Sequence, residues 1–103
     1  DEPNMGATPE VDSIDRMEAK FEIGEVSSML NEEMDGIVTG IRPFGIFVDI
    51  GVKNGEERLD ALARNKRRFL PKGMSLMDFT PGQKVRCWVV GTDEAKRKIS
   101  VSL

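Results

Sequence analysis

The chain has 103 residues, a single cysteine, no histidine and a formal net charge of −3. This length fits one small domain with flanking sequence, and the lack of histidine beside a lone thiol excludes His-assisted nucleophiles, His general bases and zinc sites built on His and Cys. No apolar run approaches the roughly 18 residues that span a bilayer, and no secretory signal pattern opens the chain, so no membrane partner is expected.

The chain begins at Asp1 rather than Met, as expected of a processed protein or an excised fragment. Cys87 lies in an apolar run and reads as a small core residue of an intracellular reducing compartment, the cytoplasm or the interior of a plastid or mitochondrion. The acids show no clustering within the part expected to fold, so neither catalysis nor a cofactor is expected. Charge is polarised along the chain. Residues 1–35 carry 11 acids and 2 bases, and residues 36–103 carry 13 bases and 7 acids. The pattern describes a basic module behind an acidic flank, the former suited to a polyanion and the latter able to compete for the same surface.

Residues 1–12 hold Pro3, Gly6, Pro9 and four acids with little to bury, and are expected to be extended or disordered. Ile14, Met17 and Phe21 then recur at helical spacing, with Asp12 or Ser13 as N-cap and Gly24 as a stop, which predicts a short helix over about 13–23. A helix this short is marginal in water and needs its apolar stripe docked. Val26, Met29 and Leu30 continue the docking segment. The acidic extension is expected to cover residues 1–32 and the folded domain residues 33–103.

The first predicted strand covers about 33–42, with Gly36 and Gly40 at bends. The second covers about 44–50. Here Ile46, Val48 and Ile50 share one face and Phe47 and Asp49 the other. The β-branched set makes the better core face, so Phe47 turns outward. It is either a stacking platform for a flat ligand or is packed under a loop or terminal segment. Asn54-Gly55 signals a turn before a third strand at about 57–62. A long connector over 63–80 has a helix-compatible start broken by Pro71 and Gly73. The fourth strand, about 83–90, alternates Val85, Cys87 and Val89 with Lys84, Arg86 and Trp88, and the fifth, about 98–103, alternates Ile99, Val101 and Leu103 with polar residues. The expected fold is all-β: a five-stranded antiparallel Greek-key OB-fold barrel with an acidic N-terminal extension carrying a short helix.

Gly36, Val38, Ile41, Phe44, Gly45, Phe47, Val48, Asp49 and Gly51 stand at a distinctive mutual spacing. Gly82, Gln83 and Val85 follow, then Asp93 leading to Lys98-Ile-Ser-Val-Ser. On these residues the stretch 33–103 resembles the S1 RNA-binding domain named after the ribosomal protein. The resemblance implies single-stranded RNA bound across strands two and three by two aromatics, a histidine on strand three, an acid in the last hairpin and a base opening strand five. The aromatics fall on Phe44 and Phe47, the acid on Asp93, and the base on Lys98 or its neighbour Arg97. The histidine position falls on Ala61, which neither stacks nor donates a hydrogen bond. Arg58 is the compensating candidate on that strand, through guanidinium stacking or a phosphate contact.

Arg64, Lys66, Arg67 and Arg68 form the densest basic cluster and are either a solvated loop face or a phosphate contact at the binding rim. Trp88, out of phase with the inward residues of its strand, is covered by the N-terminal segment, anchors a protein interface or touches RNA. Met74, Leu76, Met77 and Phe79, with Phe69 and Leu70, are expected to cap one end of the barrel. The sequence as a whole reads as a non-catalytic single-stranded RNA-binding module of the translation, transcription or RNA-processing machinery, working beside other proteins of a ribonucleoprotein or similar complex. Two alternatives are a barrel used mainly for protein–protein interaction and one that recruits RNA for a catalytic partner.

Overall fold

The computed structural model describes residues 16–103. Along them run β1 (Phe21–Glu22), α1 (Ile23–Val26), β2 (Glu33–Arg42), β3 (Gly45–Asn54), β4 (Glu57–Arg64), β5 (Lys84–Asp93) and β6 (Lys98–Ser102), with single 3₁₀ turns at Arg67–Phe69 and Leu76–Asp78. No helix among the described residues is long and apolar enough to cross a membrane.

Strands β2, β3, β4, β6 and β5 pair in that order, and β5 pairs back with β2, closing a five-stranded barrel. The expected OB-type barrel is therefore present, but it is not purely antiparallel. Strand direction cannot alternate all the way round a closed ring with an odd number of members. One neighbouring pair must run parallel, and it is β4 with β6, which meet at Leu62 and Ser100. Bulges between Val38 and Gly40, Val48 and Val52, and Val89 and Gly91 supply the bends that closure requires. Gly36 sits at a tight crossing, where a Cβ would lie 2.5 Å from Val48 Cγ1.

The interior follows the alternation in the sequence. Ile46, Val48, Ile50 and Val52 from β3 meet Leu59, Ala61 and Ala63 from β4, Cys87 and Val89 from β5, and Ile99 and Val101 from β6, all buried. Burial, with Asp35 nearby as a lesser cause, pushes the Cys87 thiol up to about 12, so it stays protonated as a core residue. Leu70 and Phe79 of the connector are buried and Leu76 packs against the core. Met74 and Met77 depart from the expected cap. Met74 is exposed and Met77 is 93% exposed, because the 3₁₀ turn carrying Leu76 inward projects the next residue outward.

The first third of the chain differs most from its sequence reading. Residues 1–15, with the proposed caps and Ile14, lie outside the described residues. From Arg16 to Lys20 the chain is extended rather than helical, and Phe21–Glu22 adds to β3 as a parallel strand. Extension is favoured because the backbone donors find partners on the barrel: Met17 N–H donates to Asp49 Oδ2 at 2.9 Å and Lys20 N–H to the Gly51 carbonyl at 2.9 Å. A short isolated helix turns its donors inward without that anchorage. Only α1 is helical, with the Glu22 N–H donating to Glu25 Oε1 at 2.9 Å and Ile23 and Val26 buried in the core. Gly24 lies inside this turn rather than ending a helix.

Candidate nucleic-acid interface

Phe44 stands in the two-residue turn between β2 and β3, and Phe47 faces outward from the start of β3. Their ring centroids are 5.8 Å apart and the planes meet at 85°, an edge-to-face pair. Phe44 is 56% exposed and Phe47 half-buried. The turn is fixed from across the sheet, since Asn65 N–H donates to the Phe44 carbonyl at 2.9 Å and Asn65 Nδ2 to the Pro43 carbonyl at 3.2 Å. A fixed turn holds the exposed ring in place before any ligand arrives.

On the Phe44 side of this pair lies a shallow cleft of about 500 Å³ lined by Pro43, Phe44, Leu62, Arg64, Asn65, Lys66 and Lys98. The two basic candidates of the last hairpin part company here. Lys98 lines the aromatic cleft. Arg97, at φ 55°, donates from Nη1 to Glu57 Oε1 at 2.9 Å and so reaches toward the β3–β4 hairpin instead. Asp93 is exposed opposite Lys98, and its Oδ1 accepts from Lys96 N–H at 3.1 Å, which shapes the hairpin. Arg64, Lys66, Arg67 and Arg68 are all exposed. Lys66 and Asn65 also line a second cleft of about 600 Å³ with Arg67 and Lys72 of the connector, while the Arg68 guanidinium sits 4.8 Å from the Phe69 ring centroid. Among the described residues Arg64, Lys66, Arg67, Arg68 and Lys98 have no ion-pair partner, whereas Arg16, Lys53, Arg58, Arg86 and Arg97 do.

Strand β4 corrects the reading at Ala61. Ala61 is fully buried opposite Val48, so its side chain belongs to the core. The residue opposite Phe47 is Leu62, whose side chain lines the aromatic cleft. Alternation already carried this signal, because inward Leu59, Ala61 and Ala63 leave Arg58, Asp60, Leu62 and Arg64 outward. The neighbour of the aromatics on this strand is therefore an aliphatic side chain, able to pack against a base edge but not to donate a hydrogen bond.

Arg58 is engaged elsewhere. Its Nη1 donates to the Met17 carbonyl at 2.6 Å and to Asp49 Oδ2 at 3.1 Å. Asp49, expected on an open face beside Phe47, is fully buried beneath residues 16–20. It accepts from Arg16 Nε at 2.8 Å, and its other oxygen accepts from Gly51 N–H at 2.9 Å. Arg16 Nη2 also meets Asp60 Oδ1 at 2.7 Å, and Thr39 Oγ1 donates to Asp60 Oδ2 at 3.0 Å. Burial raises the Asp60 carboxyl above its ordinary 3.8, against the opposing pull of Arg16 and Thr39. Gly51, at φ +80°, lets the strap formed by residues 16–20 lie close: a Cβ there would meet the Glu18 carbonyl oxygen at 2.6 Å. Nothing in the sequence pattern announced this clamp, since Arg16 lies 33 residues from Asp49.

The S1 RNA binding domain family model matches residues 20–103, most of the chain and all of the barrel. The chain belongs to the S1 RNA-binding domain family. The match begins at Lys20, after Arg16 and Met17 that hold Asp49. Solved structures agree on the fold. An uncharacterized protein of Methanocaldococcus jannaschii superimposes with a TM-score of 0.57 at 20% identity, over 71% of this chain and 88% of that one. The solution structure of GSP13 from Bacillus subtilis gives 0.55 at 27% identity, over 84% of this chain and 58% of that one. A chain of the a/eIF2alpha–aDim2p–rRNA complex from Pyrococcus horikoshii gives 0.57 at 22% identity, over 72% of this chain and 43% of that one. This S1 domain thus spans only about half of the latter two. Curated protein sequences give no match. Among the described residues no group of three or more Cys, Asp or Glu is placed to hold a metal ion.

Proposed function

We propose that this S1 domain binds single-stranded RNA by stacking bases on Phe44 and Phe47 while Arg64, Lys66 and Lys98 hold the adjoining phosphates. The carrying observation is that exposed Phe44, held edge-to-face on half-buried Phe47, lines one cleft with three cations that have no partner among the described residues. Every base has a π-face, so stacking of about 1–3 kcal/mol per base tolerates any sequence. Each neutralised phosphate releases counterions, which makes affinity salt-dependent. Leu62 adds an apolar floor and no base-specific donor, so base preference is weak. Arg67 and Lys72 extend the cationic track along the connector. The domain acts without catalysis of its own, as an RNA-holding module of a larger translation, transcription or RNA-processing assembly, where linkage to other modules raises its effective affinity.

The test is a salt series of binding to a fluorescent single-stranded oligoribonucleotide. On a single strand log Kd should change with log salt by about 0.7 per phosphate neutralised. Replacing Arg64 and Lys66 together with Ala should flatten that slope by roughly 1.4, two phosphates at 0.7 each, without altering preference among bases. An unchanged slope would remove the cleft from the RNA path.

A further inference from the structure

The outward face of β5 carries Arg86, Trp88 and Val90, two residues apart along one strand. Arg86 is held down, with Nη1 3.1 Å from Glu33 Oε1 and Nε 3.2 Å from Asp35 Oδ1. Trp88 is 39% and Val90 40% exposed, and Leu30 is 47% exposed beside them. Leu30 is kept at this strand by the next residue, since Asn31 N–H donates to the Val89 carbonyl at 2.6 Å. The expected cover of Trp88 by the N-terminal segment is not seen among the described residues, because the strap runs along β3 instead. The only tryptophan of the chain is left in an apolar patch on β5 and the segment before β2, whereas Phe44 and Phe47 stand on the β2–β3 turn and β3.

The β2 side of this patch is acidic. Glu33 pairs across from Trp88 and Asp35 across from Arg86, Glu32 precedes them, and all three are exposed. Arg86, with Lys84 two residues before it on the same outward face, offsets part of this charge. A polyphosphate is repelled from such a border. The same face of a second copy would set acid against acid, and residues 1–15, with five acids and no base, carry the wrong charge to cover it.

We infer that Leu30, Trp88 and Val90 form a docking surface for a basic segment of a partner protein. The segment lays an apolar side chain against Trp88 while its Lys or Arg residues meet Glu32, Glu33 and Asp35. A half-exposed tryptophan with aliphatic neighbours is the kind of anchor on which interface energy concentrates. The acidic border selects the partner's charge and speeds encounter. The domain then has two faces of opposite sign, one for RNA and one for protein.

Trp88 reports on this face directly. The chain is titrated with a synthetic peptide of Lys-Leu-Lys repeats, with its Glu-Leu-Glu counterpart and with single-stranded oligouridylate, while tryptophan emission is followed. The basic peptide should shift emission to the blue and saturate. The variant E32Q/E33Q/D35N should weaken that response by about tenfold in Kd while keeping the wild-type melting temperature. Leu30→Ser should weaken it as well. The acidic peptide and the RNA should leave emission unchanged. No shift with the basic peptide, an equal shift with the acidic one, or a shift with RNA would overturn the inference. So would a blue shift on concentrating the chain alone, which would assign the patch to a second copy, or a red shift on deleting residues 1–15, which would assign it to the chain's own start.

Discussion

Phe47 and Asp49 lie two residues apart on β3 and point to the same side of the sheet, yet their surroundings are opposite. Phe47 packs edge-to-face on exposed Phe44, which lines an open cleft with cations that lack counter-charges among the described residues. Asp49 is sealed under the strap, its oxygens taken by two arginines and two backbone N–H groups. One end of the same outer face is free to take up an anionic strand. The other has already compensated its charges internally. Strand alternation decides which way a side chain points, but what lies over that face decides whether the site is available.

The comparison breaks most easily at Asp49. Replacing it with Ala leaves Arg16, Arg58 and two backbone donors without their shared acceptor. Removing one partner of a buried ion pair costs about 3–5 kcal/mol, and the partial exposure of both guanidinium groups places the expected loss near about 3 kcal/mol in urea unfolding. Arg64→Ala at the open end should change stability by less than about 0.5 kcal/mol. Equal effects at the two ends would show that the strap carries no stability.

A second measurement sharpens the open end. Phe44→Ala should weaken RNA binding by about 1–3 kcal/mol and leave the melting temperature nearly unchanged, since the ring is mostly exposed. Phe47→Ala should show a similar binding loss with a larger stability cost, still below the ~3–5 kcal/mol of a fully buried Phe. Loss of stability in both variants without loss of binding would return the aromatic pair to a packing role.

Truncation addresses the charge of the flank. Removing residues 1–12 takes away Asp1, Glu2, Glu10 and Asp12 and spares the strap. RNA binding should tighten at low salt and the gain should fade near physiological salt, where the Debye length is about 8 Å. Removing residues 1–22 also strips Arg16 and β1, and should lower the melting temperature. Identical behaviour of the two truncations would separate the strap from the domain.

The smallest expected effect is the pH response of Asp60. Its folded carboxyl is held above the ordinary 3.8, so the folded state takes up this proton more readily than the unfolded chain. Its contribution to stability is fullest below 3.8 and is lost as pH rises through the raised folded value. The urea midpoint of Asp60→Asn should therefore gain on the wild type as pH increases across that window. The opposite trend would mean that the ion pair with Arg16 outweighs burial.

Much of the barrel was legible in the sequence. Strand β2 falls where the pattern placed it, β3, β4 and β5 run on two to four residues past their expected ends, and β6 stops one residue short. The inward positions from Ile46 to Val52, and those of Cys87, Val89, Ile99 and Val101, follow from period-two alternation. The aromatic pair was legible too, because Phe47 is out of phase with a β-branched face. Other features depended on contacts between distant parts of the chain. The parallel β4–β6 pair follows from ring closure, which no local pattern records. The periodicity of Met17 and Phe21 read as a helix, yet backbone donors of the strap found partners on β3 that a short helix could not match. Arg58 looked free for RNA until Met17 and Asp49 occupied it, and only assembly of the barrel showed that Lys98, and not Arg97, stands beside Phe44. The sequence by itself determined which residues turn inward and which turn out, because side-chain direction along a strand is a local property of the backbone. Only the tertiary structure decided which outward charges remain available, because a charge is spent or free according to what the rest of the chain brings within a few ångströms of it.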